Sequence, residues 1–365
     1  MGLPEKIKKI EDDIHRTQVN KKTEHHIGLL RAKLARLRAE LEEQHTRKTG
    51  SRIGYDVKKS GDATVVLIGL PSVGKSTLLN RLTNAKSKVG SYQFTTLEVV
   101  PGVMEYGGAR IQVLDLPGII KGASSGKGLG RRVLAVARSA DLVLFVVDVF
   151  HPEARDLLER ELGSTGIRVD ESPPNVVIEK SDAGGISVTS QVRLTKMTEA
   201  LVKDILRVYD ISAARVVIRQ DIDDQQLVDV LAGNRVYVPS LTVMNKIDLV
   251  NAGFTTELSR KLPYGFVPVS AEANVNMQAL REEIYRRLTF VRIYMRRRTG
   301  ETDFDEPMVV RGGATIGDIC DRVHRGMKDE FRYAQVWGKS VKFGGQRVGM
   351  THQLMDQDVL TIVTK

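Results

Sequence analysis

One cysteine and one tryptophan stand in a chain of 365 residues, and aromatic residues make up only 5% of it. The lone Cys320 has no partner for an internal disulfide, and no cysteine cluster exists to hold zinc. Long hydrophobic runs are missing too. The longest apolar stretches, Asp141 to Val149 and Val65 to Leu70, fall far short of the ~18 residues needed to span a bilayer. The opening residues, MGLPEKIKKIEDD, are polar and charged, so no secretory signal is expected. Lys6 occupies the position where a myristoylated chain carries Ser or Thr. A reducing, cytoplasmic setting with no membrane partner is the expectation. What is present suits a globular protein: 41% hydrophobic and 27% charged residues, at a length for two or three domains.

The formal net charge is +10, unevenly spread. Residues 1–60 carry 15 basic against 9 acidic side chains, and residues 281–300 carry 7 against 2. Residues 151–240 are acidic, with 11 against 15. Clustered basic charge favours polyanions through counterion release. A solvated helix face explains either cluster equally well, but two separate clusters point to RNA or the ribosome as partner. Charge reversal at Arg296, Arg297 and Arg298 is expected to weaken ribosome binding.

Residues 4–45 read as two helices broken at Thr17–Thr23. Ile7, Ile10 and Ile14, then Leu30, Leu34, Leu37 and Leu41, repeat at helical spacing. Such a short stripe suits a helical hairpin better than a long coiled coil. Residues 46–61 read as linker. From Ala63 apolar strands alternate with helices, which implies a mostly parallel sheet covered on both faces. The strands expected at 65–69, 99–105, 110–115, 142–148, 241–245 and 266–269 belong to that sheet. Residues 151–240 carry their own strands and helices and read as an inserted subdomain rather than a loop. Residues 303–365 read as a small α+β domain.

The strongest chemical signal is Gly69-Leu70-Pro71-Ser72-Val73-Gly74-Lys75-Ser76, a GxxxxGK[ST] motif between a strand and a helix. Its glycines let backbone N–H groups wrap a phosphate chain, and the helix start adds a positive end. Lys75 is expected to reach the β and γ phosphates, and the Ser76 hydroxyl to bind Mg2+. Pro71, Ser72, Val73 and Thr77 complete the expected cradle. Asp115-Leu116-Pro117-Gly118 closes a strand, so Asp115 is expected near Mg2+ through a water, and the Gly118 N–H at the γ-phosphate. Within Tyr92-Gln93-Phe94-Thr95-Thr96, spacing favours Thr96 as the last Mg2+ ligand. The expected metal set is Ser76, Thr96 and Asp115, and the expected catalytic set is Lys75, Thr96 and Gly118.

Asn245-Lys246-Ile247-Asp248 closes another strand. A carboxylate only accepts hydrogen bonds, so Asp248 selects the N–H and amino group of guanine, a donor pair that adenine lacks. That weighs against an ATPase. Asn245 and the Lys246 stem are expected to brace the loop and cover the base. Ser270-Ala271-Glu272 follows the next strand, with the Ala271 N–H facing the guanine carbonyl oxygen. Ile119 stands where many GTPases place a water-orienting Gln, which predicts slow intrinsic hydrolysis. A GTP-dependent RNA- or ribosome-binding module with negligible hydrolysis is the alternative. Loss of the γ-phosphate is expected to free the Thr96 loop and the Gly122–Gly130 segment.

GLPSVGKSTLLN, YQFTT, LDLPGIIKGASSGKGLGR, GNRVYVPSLTVMNKID and FVRIYMR together resemble the developmentally regulated GTP-binding proteins of the Obg-like group. So do the start, RTQVNKKTEHHIGLLRAKLARLRAEL, and the end, EFRYAQVWGKSVKFGGQRVGMTHQLMDQDVLTIVTK. The resemblance covers nearly the whole chain. It implies an α/β fold: a P-loop NTPase G domain at 61–150 and 241–295, an N-terminal helical (helix-turn-helix-like) region and linker at 1–60, an inserted α+β subdomain of the S5 domain 2-like kind at 151–240, and a β-grasp-like TGS domain at 300–365. It further implies GTP and GDP as ligands, a role in translation, a stabilising partner protein, and K+ stimulation with Ser72 where related K+-dependent GTPases carry Asn. The compact length suits an archaeal member. The aromatics Phe331, Tyr333 and Trp337 read as core ahead of base-stacking, and the scattered histidines share no metal spacing.

Overall fold

A computed structural model describes residues 2–18, 20, 23–48, 61–83, 100–116, 136–297, 299–305, 307–324 and 326–364. In chain order the strands are β1 (Ala63–Ile68), β2 (Val100–Tyr106), β3 (Ala109–Asp115), β4 (Leu142–Asp148), β5 (Ile167–Val169), β6 (Val176–Lys180), β7 (Ile186–Ser190), β8 (Ala214–Ile218), β9 (Val236–Val238), β10 (Ser240–Asn245), β11 (Val267–Pro268), β12 (Phe290–Met295), β13 (Met308–Arg311), β14 (Phe331–Trp337), β15 (Gln346–Val348) and β16 (Asp358–Thr364). The helices are α1 (Leu3–Arg16), α2 (Glu24–Lys48), α3 (Lys75–Leu82), α4 (Ala154–Ser164), α5 (Glu199–Val208), α6 (Asp224–Ala232), α7 (Ala252–Lys261), α8 (Met277–Arg287), α9 (Ile316–Val323) and α10 (Met327–Glu330). Contacts divide the chain into two compact units, residues 1–55 with 166–237 and residues 56–165 with 238–365. Among the described residues no helix is long and apolar enough to cross a membrane.

The second unit holds a six-stranded sheet in the order β11-β10-β4-β1-β3-β2, parallel throughout except for β2. β1 and β4 are buried along their whole length. Their unbroken apolar runs, ATVVLI and LVLFVVD, are what a strand covered on both faces requires. The parallel register brings the C-terminal ends of β1, β3, β4 and β10 to one edge. Leu67 pairs with Asp115, and Asn245 with Asp148.

A five-stranded sheet, β13-β12-β16-β14-β15, follows α8 directly. β12 pairs antiparallel with β13 and parallel with β16. Residues 290–295, read from sequence with the first sheet's domain, thus form an inner strand of this second sheet. The arginine-rich flanks hide a two-residue alternation: Val291 and Ile293 are buried while Arg292 points outward. α9 packs its Ile316, Ile319 and Cys320 into this sheet's core. The second sheet meets the first at its N-terminal edge. Arg322 pairs with Asp62, ahead of β1, and Arg311 with Asp141, ahead of β4. The rings of Tyr106, Tyr285 and Phe290 meet in series, edge-on at 5.5 Å and tilted at 5.3 Å.

In the first unit, α1 and α2 form the expected hairpin, tied by Arg38 to Glu11 at 2.6 Å. α2 also packs on α5 and α6, which cover the three-stranded sheet β6-β8-β7. Ala32 is fully buried in one core with Leu201, Ile205, Val216 and Leu227. Thr198 caps α5 and an Asp223–Gln226 capping box starts α6. Each such cap contributes about 1 kcal/mol. Asp229, nearly inaccessible, accepts from both Arg168 and Arg235 at 2.6–2.8 Å.

Candidate nucleotide site

The loop from Gly69 to Gly74 leaves β1 at the C-terminal edge and turns into α3. Gly69 is the only residue type that fits its place: a Cβ there would lie 2.3 Å from the Val146 carbonyl oxygen. Gly74 is required twice. Its φ is +91°, and a Cβ would lie 2.4 Å from the Asn245 amide nitrogen. Ser72 also adopts a left-handed conformation, with φ +65°. Lys75 is buried beneath the loop, and its ammonium donates to the Gly69 and Leu70 carbonyls at 3.1 and 3.0 Å. Burial pushes its pKa below the usual lysine value, and nearby Asp115 partly opposes that shift.

Ser76 donates to Asp115 Oδ2 at 2.6 Å. Asp115 Oδ1 is buried and finds no hydrogen-bond partner among the described residues. An orphaned buried carboxylate oxygen beside a hydroxyl is a donor set that fits a hard cation such as Mg2+. Among the described residues no cluster of three or more His, Cys, Asp or Glu could hold a metal ion. Thr96, Gly118, Ile119 and the Gly122–Gly130 segment lie outside the described residues.

Asn245 joins the Gly69–Gly74 loop to the Ala271 turn. Its amide donates to the Val73 carbonyl at 2.9 Å, and its Oδ1 accepts from the Ala271 N–H at 3.0 Å. Lys246, left-handed at φ +64°, directs its ammonium to Asp148 Oδ2 at 3.0 Å. Asp248 is exposed at the same edge. Ser270 is buried and accepts from the Ala273 N–H, shaping the Ala271–Glu272 turn. Pro71 is exposed and Thr77 half-buried in the first turn of α3.

Two contributors escaped the sequence reading. Asp148 also accepts from the Phe150 and His151 N–H groups, and so fixes the Lys246 stem. Its signal was available, since it closes an apolar strand as Asp115 does. Arg81 binds the Ala271 and Glu272 carbonyls from α3, and nothing in its motif context marks it.

The remaining candidates lie apart from this edge. Arg286 and Arg287 share Glu283, Arg292 grips Asp356, and Arg297 approaches Glu301 at 3.9 Å. Arg296 covers the Trp337 ring, and Arg347 covers Tyr333. Phe331, Tyr333 and Trp337 are half-buried on β14. Cys320 is buried, and His25 meets Asp204. A surface pocket of about 520 Å3 lined by Tyr106, Gly107, Tyr285 and Arg292 sits by the β2–β3 turn, at the edge opposite the phosphate loop.

The chain matches known proteins along most of its length. Residues 64–180 match the family described as "50S ribosome-binding GTPase", 183–290 its C-terminal region, and 291–364 the TGS domain. An uncharacterized GTP-binding protein of Methanocaldococcus jannaschii, MJ1326, is 51% identical over all of this chain and 94% of its own. Developmentally-regulated GTP-binding protein 2 of Bos taurus is 48% identical over the full length of both. Among solved structures, the YchF GTPase of Schizosaccharomyces pombe covers 84% of this chain and 99% of its own, at 13% identity and TM-score 0.42. The chain is therefore a GTP-binding protein with a G domain and a C-terminal TGS domain, and belongs to the developmentally regulated GTP-binding protein family of Obg-like GTPases.

Proposed function

We propose that the protein is a slow, Mg2+-dependent GTP hydrolase whose GTP form engages the ribosome or its RNA. The observation that carries this reading is the joining of Lys75, the Ser76–Asp115 pair, Asn245 and the Ala271 turn at one sheet edge. Lys75 carries three N–H donors, two of them on loop carbonyls, which leaves one for a phosphate oxygen. Phosphate binding also restores the partner charge that burial of the ammonium demands. Ser76, Asp115 and Thr96 would hold Mg2+, which supplies charge neutralisation on the β and γ oxygens. Gly118 would add a backbone N–H at the γ-phosphate. Asp248 would select guanine, with Asn245 and the Lys246 stem holding the base.

Ile119 has no polar atom to orient a water, which supports slow turnover. Water would then be positioned by backbone, by a bound K+ near Ser72, or by a partner such as the ribosome or a stabilising protein. The family description and the basic segments at 1–60 and 281–300 support the ribosome or RNA as that partner. The setting would be cytoplasmic. Ile119 equally supports a GTP-dependent binding module with negligible hydrolysis. Single-turnover phosphate release, with and without ribosomes and in K+ against Na+, separates these readings. Release far slower than a partner-activated GTPase, rising with ribosomes, is expected. Release undetectable under every condition would leave the binding module. Equal rates in K+ and Na+ would remove the role of K+.

A further inference from the structure

Arg81 stands in the last turn of α3, on its exposed side. Its Nε donates to the Ala271 carbonyl and one Nη to the Glu272 carbonyl, both at 3.0 Å. Its own carbonyl accepts from Arg281 on α8 at 2.5 Å. α3 thus bears the phosphate grip in its first turn and a clamp on the base-side turn in its last. We propose that Arg81 is a positioning residue for guanine, aiming the Glu272 N–H of the 271–272 turn at the C6 carbonyl oxygen of the base. The inference rests on placing guanine against this turn.

The physical reason lies in the peptide plane. A trans peptide holds its C=O and N–H antiparallel. Fixing the Ala271 carbonyl toward Arg81 therefore turns the Glu272 N–H the opposite way. The Ala271 N–H already serves Asn245 Oδ1, whereas the Glu272 N–H donates to no other described residue. A guanidinium on the carbonyl also polarises the peptide and strengthens its N–H as a donor. The two-pronged arginine spans two successive carbonyls, and a lysine reaches them only as a point charge.

The test is equilibrium binding to the full-length protein of GDP, of IDP, which lacks the 2-amino group, and of 2-aminopurine riboside diphosphate, which lacks the C6 oxygen. Arg81→Gln should narrow the preference for GDP over the 2-aminopurine analogue about tenfold, the scale of one charge-assisted hydrogen bond. Its preference for GDP over IDP, attributed to Asp248, should stay unchanged. Arg81→Lys should fall between Arg81→Gln and the wild type. Equal weakening of all three ligands would assign Arg81 a merely structural role and overturn the proposal, as would no change at all. A wild-type protein that binds IDP as tightly as GDP would instead fail the Asp248 reading, whatever Arg81 does.

Discussion

Asp248 and Lys75 carry opposite charges, and each makes a residue-scale prediction. Asp248 is exposed and accepts only, so the selectivity proposed for it rests on donors in the base. Asp248→Asn replaces one acceptor oxygen with a donor. It should cost GTP about 100-fold or more in affinity and favour xanthine nucleotides, whose C2 oxygen accepts. Retained discrimination in a competition assay would sink the assignment. Lys75 is held below its ordinary value of 10.5 chiefly by burial. The unfolded chain then binds that proton more tightly than the folded one, so stability rises as pH climbs from the lowered value toward 10.5. Lys75→Met removes the charge and should flatten that rise. It should also weaken GTP binding about 10- to 100-fold. An unchanged pH profile in thermal melts would contradict it. Candidates of this kind stand out in sequence because the ligand proposed for them would dictate their type. Arg81 and Asp148 do not, because they act on other residues of the protein, a carbonyl pair and a lysine tip.

Elements meet at places that single motifs do not announce. The phosphate loop and the Asn245 strand end come together at Gly74, where any Cβ strikes the Asn245 amide. Gly74→Ala should displace that amide from both Val73 and Ala271. Affinity for GDP should fall at least tenfold, with guanine discrimination falling alongside. A calorimetric titration showing native affinity would refute the coupling. The helices, the first sheet's strands and the three motifs were readable because periodicity and strand-end position are local signals. The packing of α2 was not. The readable stripe, Leu30, Leu34, Leu37 and Leu41, accounts for one face. The face against α5 and α6 is built around Gly28, Ala32 and Ala35 beside Leu29, and three small residues with one leucine register as no stripe. Their purpose is close approach: a Cβ on Gly28 would already lie 3.2 Å from Leu201. Ala32→Leu should therefore destabilise the protein by about 1–3 kcal/mol through overpacking. A neutral result in urea unfolding would mean the contact is loose.

Across the whole molecule, the basic excess and the sheet edges divide the work. The Gly69–Gly74 loop and the Asn245 and Ala271 turns proposed to hold the nucleotide occupy the C-terminal edge of the first sheet, while the second sheet is fixed at the N-terminal edge by Arg311–Asp141 and Arg322–Asp62. The arginine-rich cluster at 281–300 is largely engaged within the fold. Arg292 is held by Asp356 and Arg296 lies on Trp337, so charge reversal at either disturbs packing before it tests RNA. Arg286 and Arg297 are the better probes: both side chains are well exposed, Glu283 keeps Arg287 as a partner when Arg286 is replaced, and Arg297 lies 3.9 Å from Glu301. If this face meets RNA phosphates, Arg286→Glu with Arg297→Glu should weaken ribosome or RNA association regardless of sequence. The slope of log affinity against log salt should become shallower by about 2, close to one per lost phosphate contact. GDP affinity should stay at the wild-type level, because neither residue approaches the nucleotide edge. Binding isotherms at several salt concentrations measure this directly. An unchanged slope would move the RNA footprint away from residues 281–300, leaving the basic N-terminal segment as the surface to reverse next.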